Sequence, residues 1–290
     1  MEKGRIAFQG ELGANSHEAC LAAFPHMTPV PHPTFEEAFE AIKSGDCQLG
    51  MIPVENSIAG RVADVHHLLP NSGLKIIGER FKPIHFQLMA NPGAKLEDIE
   101  VVQSMPIALV QCRRSLRAMK LRTEAVGDTA LAAKLLAANP DPKRAAISPA
   151  LSAELYGLEI LARDIEDEHH NTTRFLVMTA DPNPPAPAFT DPCVTSFVFR
   201  VRNLPAALYK ALGGFATNGV NMTKLESYME NGAFTATFFY AEVDGRPEDR
   251  GLALALEELG FFSEELKMLG SFPANPFRRK GWEAPTRPGT

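Results

Sequence analysis

An α/β fold built on a largely parallel sheet, followed by a smaller ferredoxin-like module, is the architecture that the order of elements in this sequence predicts. Short apolar strands alternate with capped helices up to about residue 181. A run with five prolines, DPNPPAPAFTDP at 181–192, then breaks that grammar. Beyond it, strands and helices return in the order β-α-β-β-α-β.

The first element, Arg5 to Gln9, reads as a strand running into Gly10, and ELGANS leads to a helix over His17 to Phe24 with Ser16 as its cap. A glycine-rich turn entering a helix N-terminus is a ready anion site, because unpaired N–H groups and the helix dipole face the turn. Thr34 and Glu37 stand at capping-box spacing, and Phe35, Phe39 and Ile42 recur at helical intervals. Gly45 holds the left-handed cap position that ends this second helix. Gln48 to Val54 follows as a buried strand. IEVVQ before Ser104-Met105-Pro106, and RAAI before Ser148-Pro149, repeat the pattern with a serine cap ahead of proline in the first turn. Between them Gly127-Asp128-Thr129 opens an Ala/Leu-rich helix that reaches Asn139. In such sheets ligands gather beyond the carboxyl ends of the strands.

The proline-rich stretch is a linker. After it, Thr195 to Val201 reads as a strand and Pro205 to Phe215 as a helix closed by Gly219. Met222 to Met229 and Ala233 to Val243 flank Asn231-Gly232, a strong hairpin signal. A helix around Leu252 to Leu259 and a strand near Leu266 to Leu269 complete the module. The boundaries that follow are 1–181 for the first region, 182–193 for the linker, 194–272 for the second domain and 273–290 for a tail. That tail is expected to be loose or pinned only locally, with Arg278, Arg279 and Lys280 as a solvated end.

A chain of 290 residues, 45% hydrophobic and 22% charged, falls in the soluble globular class and needs more than one core. Its formal charge of −6 speaks against nucleic acid as the main partner, since phosphate binding needs a basic face. The opening MEKGRIAFQG has no apolar signal core and no long apolar run follows, which predicts a cytoplasmic protein without a membrane partner. Cys20, Cys47, Cys112 and Cys193 stand far apart and read as reduced, buried thiols. There is no P-loop, dinucleotide fingerprint, H-E-x-x-H or G-x-S-x-G. The adjacent pairs His66-His67 and His169-His170 point their rings apart, so neither metal nor cofactor is expected.

Three polar groups stand at predicted strand ends. Glu55, Asn56 and Ser57 emerge together after the strand at Gly50 to Val54, and read equally as a capped turn. Asn171, Thr172 and Thr173 precede Arg174 and a buried strand from Phe175 to Met178; an arginine beside such donors suits a carboxylate by bidentate pairing. The third group is the loop from Gln9 to Ser16. Together they describe a cleft for a small, multiply anionic, oxygen-rich molecule.

The strings PVENS, GDTA with its Ala-rich helix, NTTRF and NMTKLES resemble, in order and spacing, the motifs of the prephenate dehydratase family with its C-terminal ACT domain, over about residues 4–272. The resemblance implies a two-lobed catalytic region similar to type II periplasmic binding proteins, with the active site in its cleft. Lobe 1 takes about 4–82 and 166–181, and lobe 2 about 83–165. It further implies a carbon–oxygen lyase that converts prephenate to phenylpyruvate in phenylalanine biosynthesis without a cofactor. Thr173 is then the catalytic hydroxyl, supported by Asn56, Ser57 and Thr172, while Arg174, Asn171, Gln9, Gly13, Ser16 and Phe175 bind substrate.

The loop Gly10-Glu11-Leu12-Gly13-Ala14-Asn15-Ser16 departs from the commoner family pattern G-P-x-G-T-F-S. It looks like relatives among which arogenate dehydratases are found, so prephenate and arogenate both stay open as substrate. In the ACT domain, Leu204, Ala206, Ala207, Leu208 and Asn218, with Asn221, Met222, Thr223, Leu225, Glu226 and Ser227, match the segments that sense L-phenylalanine. Ala206 stands where glycine is usual, and Tyr228-Met229 where Arg-Pro is usual. Paired ACT domains imply a homodimer or homotetramer. A two-lobed cleft with a carboxylate-binding arginine also describes an amino-acid receptor, against which the absent signal peptide and the fused sensor domain count.

Overall fold

Two mixed sheets and one antiparallel sheet organise the chain in a computed structural model that describes residues 4–187, 192–229 and 236–280. The first run of elements is β1 (Arg5–Gln9), α1 (Asn15–Ala23), β2 (Thr28–His32), α2 (Phe35–Lys43), β3 (Leu49–Asn56), β4 (Gly60–Arg61), α3 (Ala63–Leu68) and β5 (Lys75–Pro83). The second is β6 (Gln87–Ala90), β7 (Val101–Ser104), α4 (Pro106–Gln111), α5 (Arg113–Ala118), β8 (Arg122–Ala125), α6 (Thr129–Ala138), β9 (Arg144–Ser148), α7 (Ala150–Tyr156) and β10 (Glu159–Ala162). β11 (Thr172–Thr179) then returns to the first sheet, whose order is β2-β1-β3-β11-β5 with β4 on β3.

The result is the two-lobed α/β region that the sequence leads one to expect, but its sheets are less parallel. β1 runs parallel to β2 and β3, and β7 parallel to β8 and β9. β6 lies antiparallel to both β9 and β10. Parallel neighbours need a long crossover, which α4, α5 and α6 supply. β6 and β10 are the strands by which the chain enters and leaves lobe 2.

The second sheet is covered on both faces. Leu88, Ala90, Ala145 and Ile147 point into one core with Val102, Ala108, Cys112 and Leu116. Met89 and Ala146 point the other way, against Ala132, Ala133, Leu136 and Ala153 of α6 and α7. Strands buried on both sides read as unbroken apolar runs, and each buried leucine or isoleucine contributes about 1.5–3 kcal/mol.

The Thr34 cap forms, with Oγ1 accepting Glu37 N–H at 3.1 Å, and Gly45 is left-handed at φ +83°. Asp128 Oδ1 caps α6 by accepting Ala130 N–H at 2.8 Å and Leu131 N–H at 3.0 Å. The three serine caps do not form. α1 is entered from Ala14 rather than Ser16, α4 from Met105 and α7 from Pro149. Buried serines take the nearest strong partner: Ser104 donates to Ile147 O at 2.7 Å, and Ser148 pairs with Ser152 at 2.6 Å.

The chain divides into two compact units, residues 1–68 with 80–176 and residues 69–79 with 177–290. The second unit holds β12 (Cys193–Val201), α8 (Ala207–Thr217), β13 (Met222–Met229), β14 (Ala236–Asp244), α9 (Arg250–Phe262), β15 (Ser263–Pro273) and α10 (Phe277–Lys280). Its antiparallel sheet runs β13-β14-β12-β15, and Phe197, Phe199, Phe239 and Val243 meet Phe215, Leu252 and Leu259 of the two helices. This is the β-α-β-β-α-β module. Its first helix starts two residues after Pro205 and its last strand is longer than Leu266 to Leu269. Asn231-Gly232 lies outside the described residues.

The tail departs from expectation. Arg278 Nε and Nη2 meet Glu79 Oε1 and Oε2 at 2.7 and 2.9 Å, and Nη2 also meets Glu242 Oε2 at 2.8 Å. Asn275 N–H donates to Glu79 Oε1 at 2.9 Å. The two carboxylates have side-chain exposures of 0% and 1%, and buried carboxylates without a cation are costly, so this arginine is drawn inward rather than solvated. All four cysteines are free and buried, as the sequence predicts, and no helix among the described residues is long and apolar enough to cross a membrane.

Ala206 enters α8 at φ +62°, a left-handed conformation that disfavours a β-carbon by about 1–2 kcal/mol. Ala206→Gly is therefore expected to raise stability by about 0.5–1 kcal/mol after glycine's extra unfolded entropy is counted. Urea unfolding measures it, and an unchanged or lower midpoint would show that the position carries no strain.

Candidate active site

Three amide side chains close a ring. Asn56, at the end of β3, donates through Nδ2 to Asn171 Oδ1 at 2.8 Å. Asn171 donates through Nδ2 to Gln111 Oε1 at 3.1 Å, and Gln111 donates through Nε2 back to Asn56 Oδ1 at 3.3 Å. Each amide thereby fixes the orientation of the next. The ring joins β3 of lobe 1, the last residue of α4 in lobe 2 and the start of the returning strand.

Asn56 does more than turn the chain. Its Oδ1 accepts the N–H groups of Ile58 and Ala59 at 3.0 and 2.9 Å, which is the turn reading of this motif. Its Nδ2 also reaches Thr173 Oγ1 at 3.0 Å and Thr172 O at 3.3 Å. Thr173 thus accepts from an amide whose direction is set, and its own hydroxyl proton has no acceptor among the described residues. That proton is available to a ligand.

The neighbouring candidates fare differently. Ser57 Oγ donates to His170 O and accepts Thr172 N–H, both at 2.9 Å, while its N–H donates to Thr172 O at 2.9 Å. Its only proton is committed, so it is a strut between the β3 turn and β11 rather than a proton source. Arg174 has a side chain only 4% exposed, with Nη1 on Glu55 Oε1 at 2.8 Å and the guanidinium 5.9 Å from the Phe81 ring centroid. One nitrogen of the guanidinium expected to fork onto a carboxylate is thus paired with a carboxylate of the protein. Phe175 is 1% exposed and its side chain packs in the core.

The glycine loop forms a second group. Gly10 N–H donates to His32 O at 2.9 Å, and Gln9 Nε2 to Pro33 O at 3.3 Å. Gly13 adopts φ +97° and donates its N–H to His17 Nδ1 at 2.9 Å. Ala14 brings no side-chain cap to α1, so the first-turn amides, including buried Ser16, lack the usual side-chain acceptor. Lys82 stands beside this turn, with Nζ 2.7 Å from Glu18 and 3.2 Å from Asn15 Oδ1. A positively biased helix end beside an ammonium group suits a carboxylate.

Gln111, His17 and Lys82 escape the sequence reading. Gln111 gives no local signal, because it becomes a ring member only when lobe 2 meets β3 and β11. His17 looks like a core histidine, and stacks on Phe8 at 5.5 Å between ring centroids; the spacing from Gly13 was its only clue.

The residues able to hold a metal are not the adjacent histidine pairs. His66 is buried with Nε2 3.2 Å from Val54 O. His85, Asp164 and Glu166, on the two connections between the lobes, offer ligand atoms within 4.8 Å of one another. His85 Nδ1 lies 2.8 Å from Glu166 Oε1, and Phe86 N–H donates to Glu166 Oε2 at 2.9 Å, so the cluster ties the connections together by hydrogen bonds.

The prephenate dehydratase family model matches residues 6–183. A bifunctional N-acyl-homoserine lactone acylase/prephenate dehydratase of Komagataeibacter europaeus is 48% identical over 95% of this chain and 98% of its own length. Arogenate dehydratase 2 of Petunia hybrida is 36% identical over 93% of this chain and 72% of its own. The crystal structure of a prephenate dehydratase from Arthrobacter aurescens in complex with L-Phe superposes with a TM-score of 0.84 at 30% identity, covering 93% of this chain and 90% of that one.

Burial lowers the pKa of His17 from 6.5, against an opposing pull from Glu18, so the ring is neutral and Nδ1 can accept. With a depressed histidine pKa the unfolded chain binds the proton first; the stability that His17 confers is present above about pH 6.5 and is lost as pH falls below it. The wild type is expected to lose stability more steeply than His17→Gln between about pH 7 and pH 5. Parallel curves in urea titrations at several pH values would sink this assignment.

Proposed function

The chain belongs to the prephenate dehydratase family, and from that premise we propose that it removes CO2 and water from prephenate to give phenylpyruvate, with arogenate as the alternative substrate. The observation that carries the reading is the amide ring, which turns Asn56 onto Thr173 Oγ1 and leaves the threonine proton for a leaving group. In the reaction the electron pair of the ring–carboxylate bond moves into the ring as CO2 departs. The bond to the opposite hydroxyl breaks, and the oxygen leaves as hydroxide hydrogen-bonded to Thr173 and takes from solvent the proton that completes water. Aromatisation makes this steeply downhill, so the barrier lies in the departing hydroxide.

Thr173 donates to that oxygen while Asn56 Nδ2 supports the threonine oxygen. A threonine hydroxyl is a weak acid, so the step is a strengthening hydrogen bond to the developing hydroxide rather than full prior protonation. Thr172 and Asn171 complete the polar wall. The first turn of α1, with Gly13, Ser16 and Lys82, is assigned to a substrate carboxylate, and Arg174 to holding Glu55 in place beside Asn56. No step of this chemistry transfers an electron or needs a Lewis acid.

The ferredoxin-like domain is read as an ACT domain through which L-phenylalanine regulates the enzyme; the L-Phe complex of the Arthrobacter relative supports this. The effector segments are Leu204, Ala206, Ala207 and Leu208 at the start of α8, Asn218 at its end, and β13 with Asn221, Met222, Thr223, Leu225, Glu226 and Ser227. Asn221 Nδ2 is fixed on Asp244 Oδ2 at 2.7 Å. β13 is an edge strand carrying exposed Leu225 and Met229, which suits pairing with a second copy in a cytoplasmic homodimer or homotetramer.

A second reading, hydrolysis of N-acyl-homoserine lactones, is favoured by the 48% identity to the bifunctional Komagataeibacter protein. One experiment weighs both: purified protein is given prephenate, arogenate or an acyl-homoserine lactone, and phenylpyruvate, phenylalanine and homoserine lactone are followed. Thr173→Val is expected to lower kcat for dehydration by about 10²–10⁴-fold, with Thr173→Ser restoring much of it. Turnover of neither aromatic precursor would overturn the main reading, and release of homoserine lactone would establish the second.

L-phenylalanine is expected to raise the melting temperature, since a ligand that binds only the folded state stabilises it, and to change the dehydration rate. A melting curve unaffected by millimolar L-phenylalanine would refute the regulatory assignment.

A further inference from the structure

The loop between β1 and α1 belongs to lobe 1, yet its backbone is held from lobe 2. Tyr156 Oη donates to Leu12 O at 2.7 Å, Ser152 Oγ donates to Gly13 O at 3.1 Å, and Lys134 Nζ meets Glu11 Oε2 at 2.9 Å. Glu18 of α1 accepts Leu151 N–H at 3.4 Å.

Ser152 and Tyr156 stand four residues apart on α7 and so share one face of it. The Ser152 hydroxyl is directed. With its proton on Gly13 O, its oxygen accepts from Ser148 Oγ at 2.6 Å. Gly13 is gripped from the other side through its N–H on His17, and no side chain fits between, because a Cβ there would stand 2.6 Å from Ser152 Oγ. Consecutive carbonyls of the loop, at Leu12 and Gly13, are thus fixed by consecutive turns of one helix in the opposite lobe.

We propose that Ser152 and Tyr156 are positioning residues for substrate binding, fixing the Glu11–Gly13 backbone from lobe 2 in the shape that presents the first turn of α1 to a substrate carboxylate. The inference rests on the dehydratase reading for its substrate. Neither residue touches reacting atoms. Their bonds form only when the two lobes meet, so they tie the shape of the anion site to closure of the cleft, and they act on binding rather than on chemistry.

The test is Ser152→Ala, Tyr156→Phe and the double variant, each removing a single hydroxyl per site. Steady-state kinetics are measured with whichever of prephenate and arogenate the wild type prefers, and amide hydrogen exchange over residues 10–17 is followed without substrate. Each single variant is expected to raise KM about 3–10-fold, the worth of one neutral hydrogen bond, with kcat within about twofold. In the double variant, exchange over 10–17 should quicken at least about tenfold while β6 and β9 keep their protection.

An unchanged KM in the double variant overturns the proposal, and so does a lower melting temperature with KM unmoved, which would mark a merely structural contact. If the wild type turns over neither substrate, the dehydratase reading fails by itself. The exchange measurement then still decides whether α7 holds the loop, and unaltered exchange would refute it.

Discussion

Asn171 is 1% exposed, and its side-chain amide must find partners inside the protein or cost roughly 1–3 kcal/mol. It finds them in Asn56 and Gln111, which come from different lobes and lie 115 and 60 residues away in sequence. Much of the site follows from this requirement. The ring closes only if β11 lies against β3 and if the end of α4 reaches both. Once closed, it sets the direction of every amide in it, and so decides which face of Thr173 receives a proton and which gives one.

The other polar groups near the site obey the same rule of full satisfaction. Ser57 spends both its proton and its oxygen on the start of β11, and Arg174 is paired with Glu55. Neither is an idle donor awaiting a ligand, and together they make the rim rigid. The glycine loop has positive φ angles at Gly10 and Gly13, which allow close approach of backbone to its surroundings. Partners on α6 and α7 hold it from one side, and His32 and His17 from the other.

The second unit shows a parallel case. Glu79 and Glu242 are buried carboxylates, and Arg278 from the C-terminal segment is bonded to both. A basic run near a chain end ordinarily means solvated charge, and composition gives no hint otherwise. The arginine is recruited because two anions that share a desolvated place create a demand for a cation that no local pattern reveals.

Periodicity and local chemistry were legible in the sequence wherever one element settles its own form. The Thr34 cap, the Asp128 cap, the left-handed Gly45, the β-α-β-β-α-β order and the burial of the cysteines all needed only near neighbours in the chain. The motifs also placed Asn56, Asn171 and Thr173 at strand ends, and their order carried the family. Tertiary structure alone decided the rest: the loss of the serine caps, the burial of Arg174 and Phe175, the entry of Gln111 and His17 into the site, and the docking of Arg278. The pairing of Ser104, Arg174, Gln111 and Arg278 depends on a buried polar or charged group meeting a partner from a distant part of the chain. The free energy of such a meeting is set by desolvation and geometry in the folded state, which no local stretch of sequence encodes.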